Sequence, residues 1–231
     1  MGSFLITGGA GFIGSHLAIS LAQEGRRVVV VDNFNDYYDP ALKRANVRPL
    51  ADNPLATIIE ADVRDAARME TIVREHRVSR IVHLAAMANV RASVEQAPLY
   101  VAVNTLGTTN ILEAARRNGV ELVISASTSS VYGSDTPVPF AESAAADRPL
   151  APYPASKRAA ELIAHAYHHL FGLNVTVLRL FNVYGPRGRP DMMPLRTLEA
   201  IVKGRAITLF NGGQLKRDWT YIDDTVDGFR A

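Results

Sequence analysis

In the stretch YPASK, Tyr153 and Lys157 stand four residues apart, a spacing that puts a phenol and an ammonium on one face of a helix. A protonated lysine beside a phenol favours the phenolate. A tyrosine with an ordinary pKa of about 10 can then act as a base near neutrality. On an arbitrary helix the same pair is a half-buried tyrosine and a solvated lysine. Its weight comes from two other stretches. SASTSSVYG, residues 125–133, holds five small hydroxyls just past an apolar β-branched run, and is either a fraying strand end or one wall of an active site. TGGAGFIG places Gly8, Gly11 and Gly14 around Phe12 and Ile13, after an apolar run and at the start of a helical pattern.

That glycine spacing has a physical reading. Gly8 permits a tight turn, Gly11 lets the backbone approach a pyrophosphate, and Gly14 lets helix and strand pack closely. The helix N-terminus then offers N–H groups and a positive dipole end to phosphates. Asp32, followed by Asn33, ends the second apolar run 18 residues after Gly14, where a carboxylate can accept from an adenosine ribose hydroxyl. It would repel a 2′-phosphate, and no arginine follows in DNFND, so NAD is expected over NADP. Asp62, next to Val63, either accepts from the adenine amino group or caps the helix that follows.

The elements that must position these residues are short. Apolar runs at 4–7, 27–32, 56–62, 80–86, 120–127 and 174–180 alternate with helical patterns near 14–24, 65–76, 98–117 and 154–171. Strands without polar alternation are buried on both faces, the mark of a parallel sheet between helical layers. The expected fold is α/β, a Rossmann-like doubly wound parallel sheet over residues 1–180. From residue 181 the texture turns to Gly, Pro and Arg, and residues 181–231 are expected to open a small substrate lobe that stops incomplete.

Composition narrows the function classes. Of 231 residues 48% are hydrophobic and 21% charged, and the net charge of +2 shows no basic block for nucleic acid. With no cysteine, thiolate catalysis, cysteine-held zinc and disulfides are excluded. The chain enters the glycine loop at once and has no apolar run near the ~20 residues of a membrane helix, so no leader, no membrane association and a cytoplasmic location are expected. His165, His168 and His169 crowd one helix, a surface pattern rather than a metal site, and no metal is expected.

Taken together, TGGAGFIG, Asp32, HLAA, the SxVYG strand end and YxxxK resemble the extended short-chain dehydrogenase/reductase family, from residue 1 to the end. Within it the chain is similar to the nucleoside-diphosphate-sugar 4-epimerases. GPRGRPDMMP and RDWTYIDD are most like the UDP-glucuronate branch, from which Arg187 and Asn182 depart where Trp and Thr are usual.

The resemblance implies a transient oxidation on bound NAD. Tyr153 takes the proton of the sugar 4-OH with Thr128 as helper hydroxyl, and the 4-keto sugar turns over before reduction on its other face. It further implies that Leu84, Ala85, Ala86 and Met87 line the dinucleotide together with Tyr153 and Lys157, with Asn104 nearby. Asn182 and Arg217 are expected on the UDP-sugar diphosphate, and Arg91 on a phosphate or the sugar. Arg189 is expected to hold a sugar carboxylate bidentately, a solvated loop charge being its other reading. Two helices per subunit would pack into a homodimer.

Ser129 and Ser130 occupy positions where the 4,6-dehydratases carry Asp-Glu, and where the glucuronate decarboxylases carry Glu before the Val. Neither serine titrates near neutrality, so elimination is disfavoured strongly and decarboxylation moderately. Both serines are candidates to hold the carboxylate of a β-keto acid against loss of CO₂. Other neutral UDP-sugars remain open as substrates, as does a non-catalytic dinucleotide-binding relative or fragment.

Overall fold

Six of the apolar runs form parallel strands. In the computed structural model, which describes residues 2–231, they are β1 (Ser3–Thr7), β2 (Val28–Asp32), β3 (Ala56–Glu60), β4 (Val78–His83), β5 (Leu122–Thr128) and β6 (Val175–Leu180). Their order across the sheet is β3-β2-β1-β4-β5-β6. That order reverses between β1 and β4, and a parallel sheet opens a crevice at the carboxyl ends of the strands where it does so.

Strand side chains alternate between two apolar layers. Leu5, Val29, Val31, Ile81 and Val123 face one layer, with Met69, Ile72, Ile111 and Leu112. Ile6, Val28, Val30 and Val82 face the other, with Leu17, Ala18 and Leu21. The helices are α1 (Phe12–Gln23), α2 (Pro40–Val47), α3 (Ala66–Glu75), α4 (Val90–Glu95), α5 (Ala97–Tyr100), α6 (Gly107–Arg117), α7 (Pro152–Phe171), α8 (Met193–Val202) and α9 (Ile222–Arg230), and all but α8 supply these layers. The long α7 starts with Pro152 in its first turn and stops at Gly172, whose φ of 67° ends the helix in the left-handed region.

The structure departs from the sequence reading in three places. The helix expected over 98–117 is interrupted: residues 101–106 wind as a π-helix between α5 and α6, within which Asn104 is fully buried. The Thr108 hydroxyl donates to the Asn104 carbonyl at 2.5 Å. Two short helices had no periodic signal: α2, capped by Asp39, and α4, capped by Asn89 at a φ of 110°.

After β6 the chain makes β7 (Asn182–Tyr184), runs through α8, and returns as β8 (Trp219–Tyr221), which pairs with β7 in parallel. Val183, Ile222, Val226 and Phe229 join the layer of Leu17 and Leu21, so this return packs on α1. α8 contributes no buried residue. Among the described residues no helix is long and apolar enough to cross a membrane.

Candidate functional site

A cleft of about 250 Å³ lies over the carboxyl ends of β1, β2, β4 and β5. Its floor is backbone. Gly8 has a φ of 65°, and a Cβ there would come within 2.7 Å of the Ala85 nitrogen; a Cβ on Gly14 would sit 2.4 Å from the Gly8 carbonyl oxygen. Glycine at these two positions lets β1, β4 and α1 converge, and no side chain caps α1 at Gly11. Its first N–H groups are thus left for an anionic ligand. Asp32 closes one end, accepting from the Phe34 N–H at 2.9 Å and the Ala10 N–H at 3.2 Å. Burial raises its pKa, against the pull of the Phe34 N–H and Lys43. A glycine cradle, an open helix N-terminus and a buried carboxylate fit the pyrophosphate and ribose of a dinucleotide.

The cleft gathers most of the residues singled out in the sequence. Gly8, Gly11, Phe12, Ile13, Gly14, Asp32, Asn33 and Val63 line one end; Leu84, Ala85, Ala86 and Met87 follow; Thr128, Tyr153, Lys157 and Arg189 line the other. Asn104 stands behind this wall: its side chain accepts from the Met87 N–H at 2.8 Å and donates to the Met87 carbonyl at 2.9 Å. It also donates to Ser156, whose hydroxyl bonds the Tyr153 carbonyl, so Asn104 ties the strand end to α7. Asp62 lies outside the lining. Arg64 donates to both its oxygens, at 2.9 and 2.7 Å, and Asn33 donates at 2.9 Å. These bonds, Arg64's first, outweigh burial and hold its carboxyl at about 2.

The reactive end is built by β4, β5 and α7. Thr128 accepts the Ser130 N–H at 3.2 Å, which leaves its own proton to give. Burial raises the Tyr153 pKa, and hydrogen bonding with Thr128 and the charge of Arg189 oppose the rise. The sequence reading expected Lys157 to lower it; the opposing groups that the fold places there are Thr128 and Arg189 instead. Lys157, only 3% exposed, is itself pushed down to about 8 by burial, with Glu161 opposing. It stays charged below that pH.

His83 was not recognised as part of this site. Its ring bridges the Thr7 hydroxyl at 2.7 Å and the Thr108 hydroxyl at 3.0 Å. Because Thr108 spends its proton on Asn104, His83 Nε2 donates and Nδ1 accepts from Thr7. Burial, then Lys157, pushes its pKa to about 3, so it remains neutral.

The loop at 185–192 forms the outer wall. Arg189 donates through Nε and Nη2 to Asp191 at 2.9 and 3.0 Å, and Tyr37 donates to the same carboxylate at 2.9 Å. The two-point fork expected to meet a substrate carboxylate is engaged by a carboxylate of the chain itself. Tyr37, Tyr38, Asn35 and Lys43 also line the cleft, and short-range periodicity gave no hint of them. Lys43 donates to Asn35 at 2.6 and 2.9 Å and lies 4.9 Å over the Tyr38 ring.

The remaining candidates lie off the lining. Ser129 and Ser130 are half-buried in the turn after Thr128. Asn182 donates to the Asp218 carbonyl at 3.3 Å, and Arg217, exposed, donates to the Lys216 carbonyl at 2.7 Å; both sit at the start of the β7–β8 pair. Arg91 is exposed on α4.

Comparison with known proteins places this geometry in context. A family model described as the NAD dependent epimerase/dehydratase family matches residues 4–231. UDP-glucuronate 4-epimerase 3 of Arabidopsis thaliana is 45% identical over 230 residues, covering 98% of this chain and 53% of its own. UDP-glucuronate 4-epimerase of Thermodesulfobacterium geofontis is 43% identical over 228 residues, covering 99% and 70%. The chain thus spans about half the length of the plant relative. The crystal structure of UDP-glucuronic acid 4-epimerase from Bacillus cereus, in complex with UDP-glucuronic acid and NAD, superposes with a TM-score of 0.92 at 35% identity. It covers 99% of this chain and 72% of its own.

Proposed function

The chain belongs to the NAD dependent epimerase/dehydratase family, and from that premise we propose that it inverts C4 of UDP-glucuronate to give UDP-galacturonate, holding NAD throughout. The observation that carries this reading is the convergence of Thr128, Tyr153 and Lys157 on one end of a cleft whose other end is the glycine cradle and Asp32. Gly8, Gly14, the α1 N-terminus and Asp32 would hold the NAD. Bound there, it supplies a reversible hydride acceptor for the sugar's C4.

The chain's own groups manage the proton. The Tyr153 oxygen takes the 4-OH proton as C4 becomes a carbonyl, and Thr128 donates to the phenolate. Thr128 and Arg189 bias the phenol toward its anion, and Lys157, charged below pH about 8, adds a buried positive charge to the same end of the cleft. After the 4-keto sugar turns over, Tyr153 returns the proton to the new alkoxide at C4. No acid–base pair stands at 129 and 130 for removal of water, which supports inversion over elimination. Arg189 meets the sugar carboxylate once Asp191 yields part of its fork, and Ser129 and Ser130 orient that carboxylate so that CO₂ is retained. Asn182, Arg217 and Arg91 serve the diphosphate and sugar, Asn104 steadies the dinucleotide wall, and Asp62 receives the adenine edge.

A homodimer through α6 and α7 is part of the reading. It is supported by the exposed Leu106, Leu162, Leu170 and Phe171 on or beside those helices, and light scattering tests it. A cytoplasmic location fits a UDP-sugar substrate.

Incubation with UDP-glucuronate and NAD tests the reaction. UDP-galacturonate without accumulated NADH is expected, and a panel with UDP-glucose and UDP-N-acetylglucosamine should show preference for the uronate. Preference for a neutral sugar would remove Arg189 from the carboxylate. One second reading rests on the glycine cradle and Asp32 alone, a non-catalytic dinucleotide-binding relative. NAD binding without turnover would select it.

A further inference from the structure

Beneath Lys157 lies an ionic group that the proposed proton transfer does not use. Glu161, one turn along α7 from Lys157, is only 8% exposed. Its carboxylate accepts from Arg158 Nη1 at 2.8 Å, from Arg179 Nε at 3.1 Å and Nη2 at 2.8 Å, and from the Ser127 hydroxyl. Ser127 directly precedes Thr128 on β5, lines the cleft, and is in register with Arg179 on β6. Arg179 also bonds the Glu142 carbonyl at 3.4 Å and lies 4.8 Å over the Tyr132 ring, and Arg158 bonds the Ala145 carbonyl at 2.8 Å. One carboxylate therefore ties together α7, the end of β5, β6 and the loop that precedes Tyr153.

A buried carboxylate is tolerable when its lone pairs are filled, and two guanidinium groups and a hydroxyl do that here. Two cations on one anion are more than neutrality needs, and the anion they share is the charged group that acts on the buried Lys157. We propose that Glu161 is a positioning residue for the Tyr153–Lys157 pair. Its clamp holds the α7 turn carrying Lys157 against the strand end carrying Thr128, and its charge sets the field in which the Lys157 ammonium sits.

The charged and titratable groups bearing on this field come from every side. Glu161 on α7 acts on Lys157 directly, Arg158 on α7 and Arg179 on β6 are paired with Glu161, Tyr153 on α7 lines the cleft with Lys157, and His83 on β4, which feels the Lys157 charge, is neutral. Burial pushes Lys157 down to about 8 and Glu161 opposes it. Removing the negative charge takes away the group that opposes burial at Lys157 and leaves the two guanidinium groups of the clamp uncompensated, so its titration must move to lower pH.

The proposal rests on the proposed function only in calling the pair catalytic, and its test needs no turnover. The chain has four lysines, Lys43, Lys157, Lys203 and Lys216. Their side chains can be followed by carbon-13 NMR titration, with Lys157→Met assigning the signal. Glu161→Gln is expected to lower the Lys157 midpoint. Glu161→Gln combined with Arg179→Gln removes one charge of each sign and should bring it back toward the parent value.

Arg179→Gln alone should raise the midpoint, which keeps the test usable if Glu161→Gln fails to fold. Midpoints equal to the parent's in both single variants, whatever their melting temperatures, would overturn the proposal. Where turnover is measurable, the upper limb of its pH profile should follow the midpoint. Absent turnover with shifted midpoints would count against the proposed reaction and leave the role of Glu161 standing.

Discussion

The two walls of the cleft are made of different material. The wall for the dinucleotide is backbone and buried side chain: Gly8 and Gly14 at converging strand and helix, Asp32 at 7% exposure, and Asn104 and His83 sealed behind. The wall proposed for the sugar is an irregular loop, where Arg189 and Asp191 pair with each other and borrow Tyr37 from across the cleft. Beyond it, α8 buries none of its residues. The first wall is fixed by converging strand and helix backbone, while the second is held by side-chain pairing on a loop. Binding of dinucleotide should therefore be insensitive to changes in the second wall, and sugar selection sensitive to them.

The largest effect that would sharpen this contrast is on chemistry itself. Tyr153→Phe should cut turnover by roughly 10²- to 10⁴-fold while leaving dinucleotide affinity near the parent value, measured by epimer formation and by NAD titration. Loss of NAD binding in that variant would blur the two walls. Gly14→Ala should do the reverse, since its Cβ would lie 2.4 Å from the Gly8 carbonyl oxygen. NAD binding is expected to fall by more than tenfold, about 1.4 kcal/mol or more, in calorimetry.

On the sugar wall, Arg189→Met should raise KM for UDP-glucuronate by roughly tenfold or more, the loss expected of a bidentate charged contact, and leave NAD affinity unchanged. Asp191→Asn frees the same guanidinium and should lower that KM. Equal KM values for both variants and the parent would remove Arg189 from substrate selection.

pH gives a smaller effect with a definite sign. Lys157 in the fold titrates at about 8, below its ordinary 10.5, so its charge is present below pH 8 and is lost above it. Turnover should fall above about pH 8. Because the folded protein holds that proton less tightly than the unfolded chain, the charged lysine costs stability wherever both states would carry it. Lys157→Met should therefore raise the melting temperature at pH 7 while it abolishes the upper limb. The smallest effect is that of Tyr37→Phe. It removes one neutral donor from Asp191, and KM for UDP-glucuronate in steady-state kinetics should change by no more than a few-fold, with NAD affinity unchanged.

The same contrast explains what could be read from the sequence. Gly8, Gly14 and Asp32 were legible because backbone convergence and a strand end demand particular residues at fixed spacings, and the doubly wound sheet followed from unbroken apolar runs. Tyr153 and Lys157 were legible because one helix carries both. His83 and Glu161 were not, for their partners come from distant strands and helices, and a lone His or Glu carries no pattern. Tyr37 and Asp191 are 154 positions apart. The π-wound turn at Asn104 also escaped, since apolar spacing sees only the average pitch of a helix. The Arg189–Asp191 pairing was hidden although the two residues are neighbours, because charge alone does not say which partner a guanidinium takes.

The central claim is that the hydrogen leaving C4 returns to the same carbon on the opposite face without exchange. UDP-glucuronate labelled with deuterium at C4, incubated with the chain and NAD in ordinary water, tests this by NMR of the product. The expected product is UDP-galacturonate that keeps its deuterium at C4, with no net NADH. Product that has lost the label to solvent, or a labelled NADH pool that grows with turnover, would contradict it.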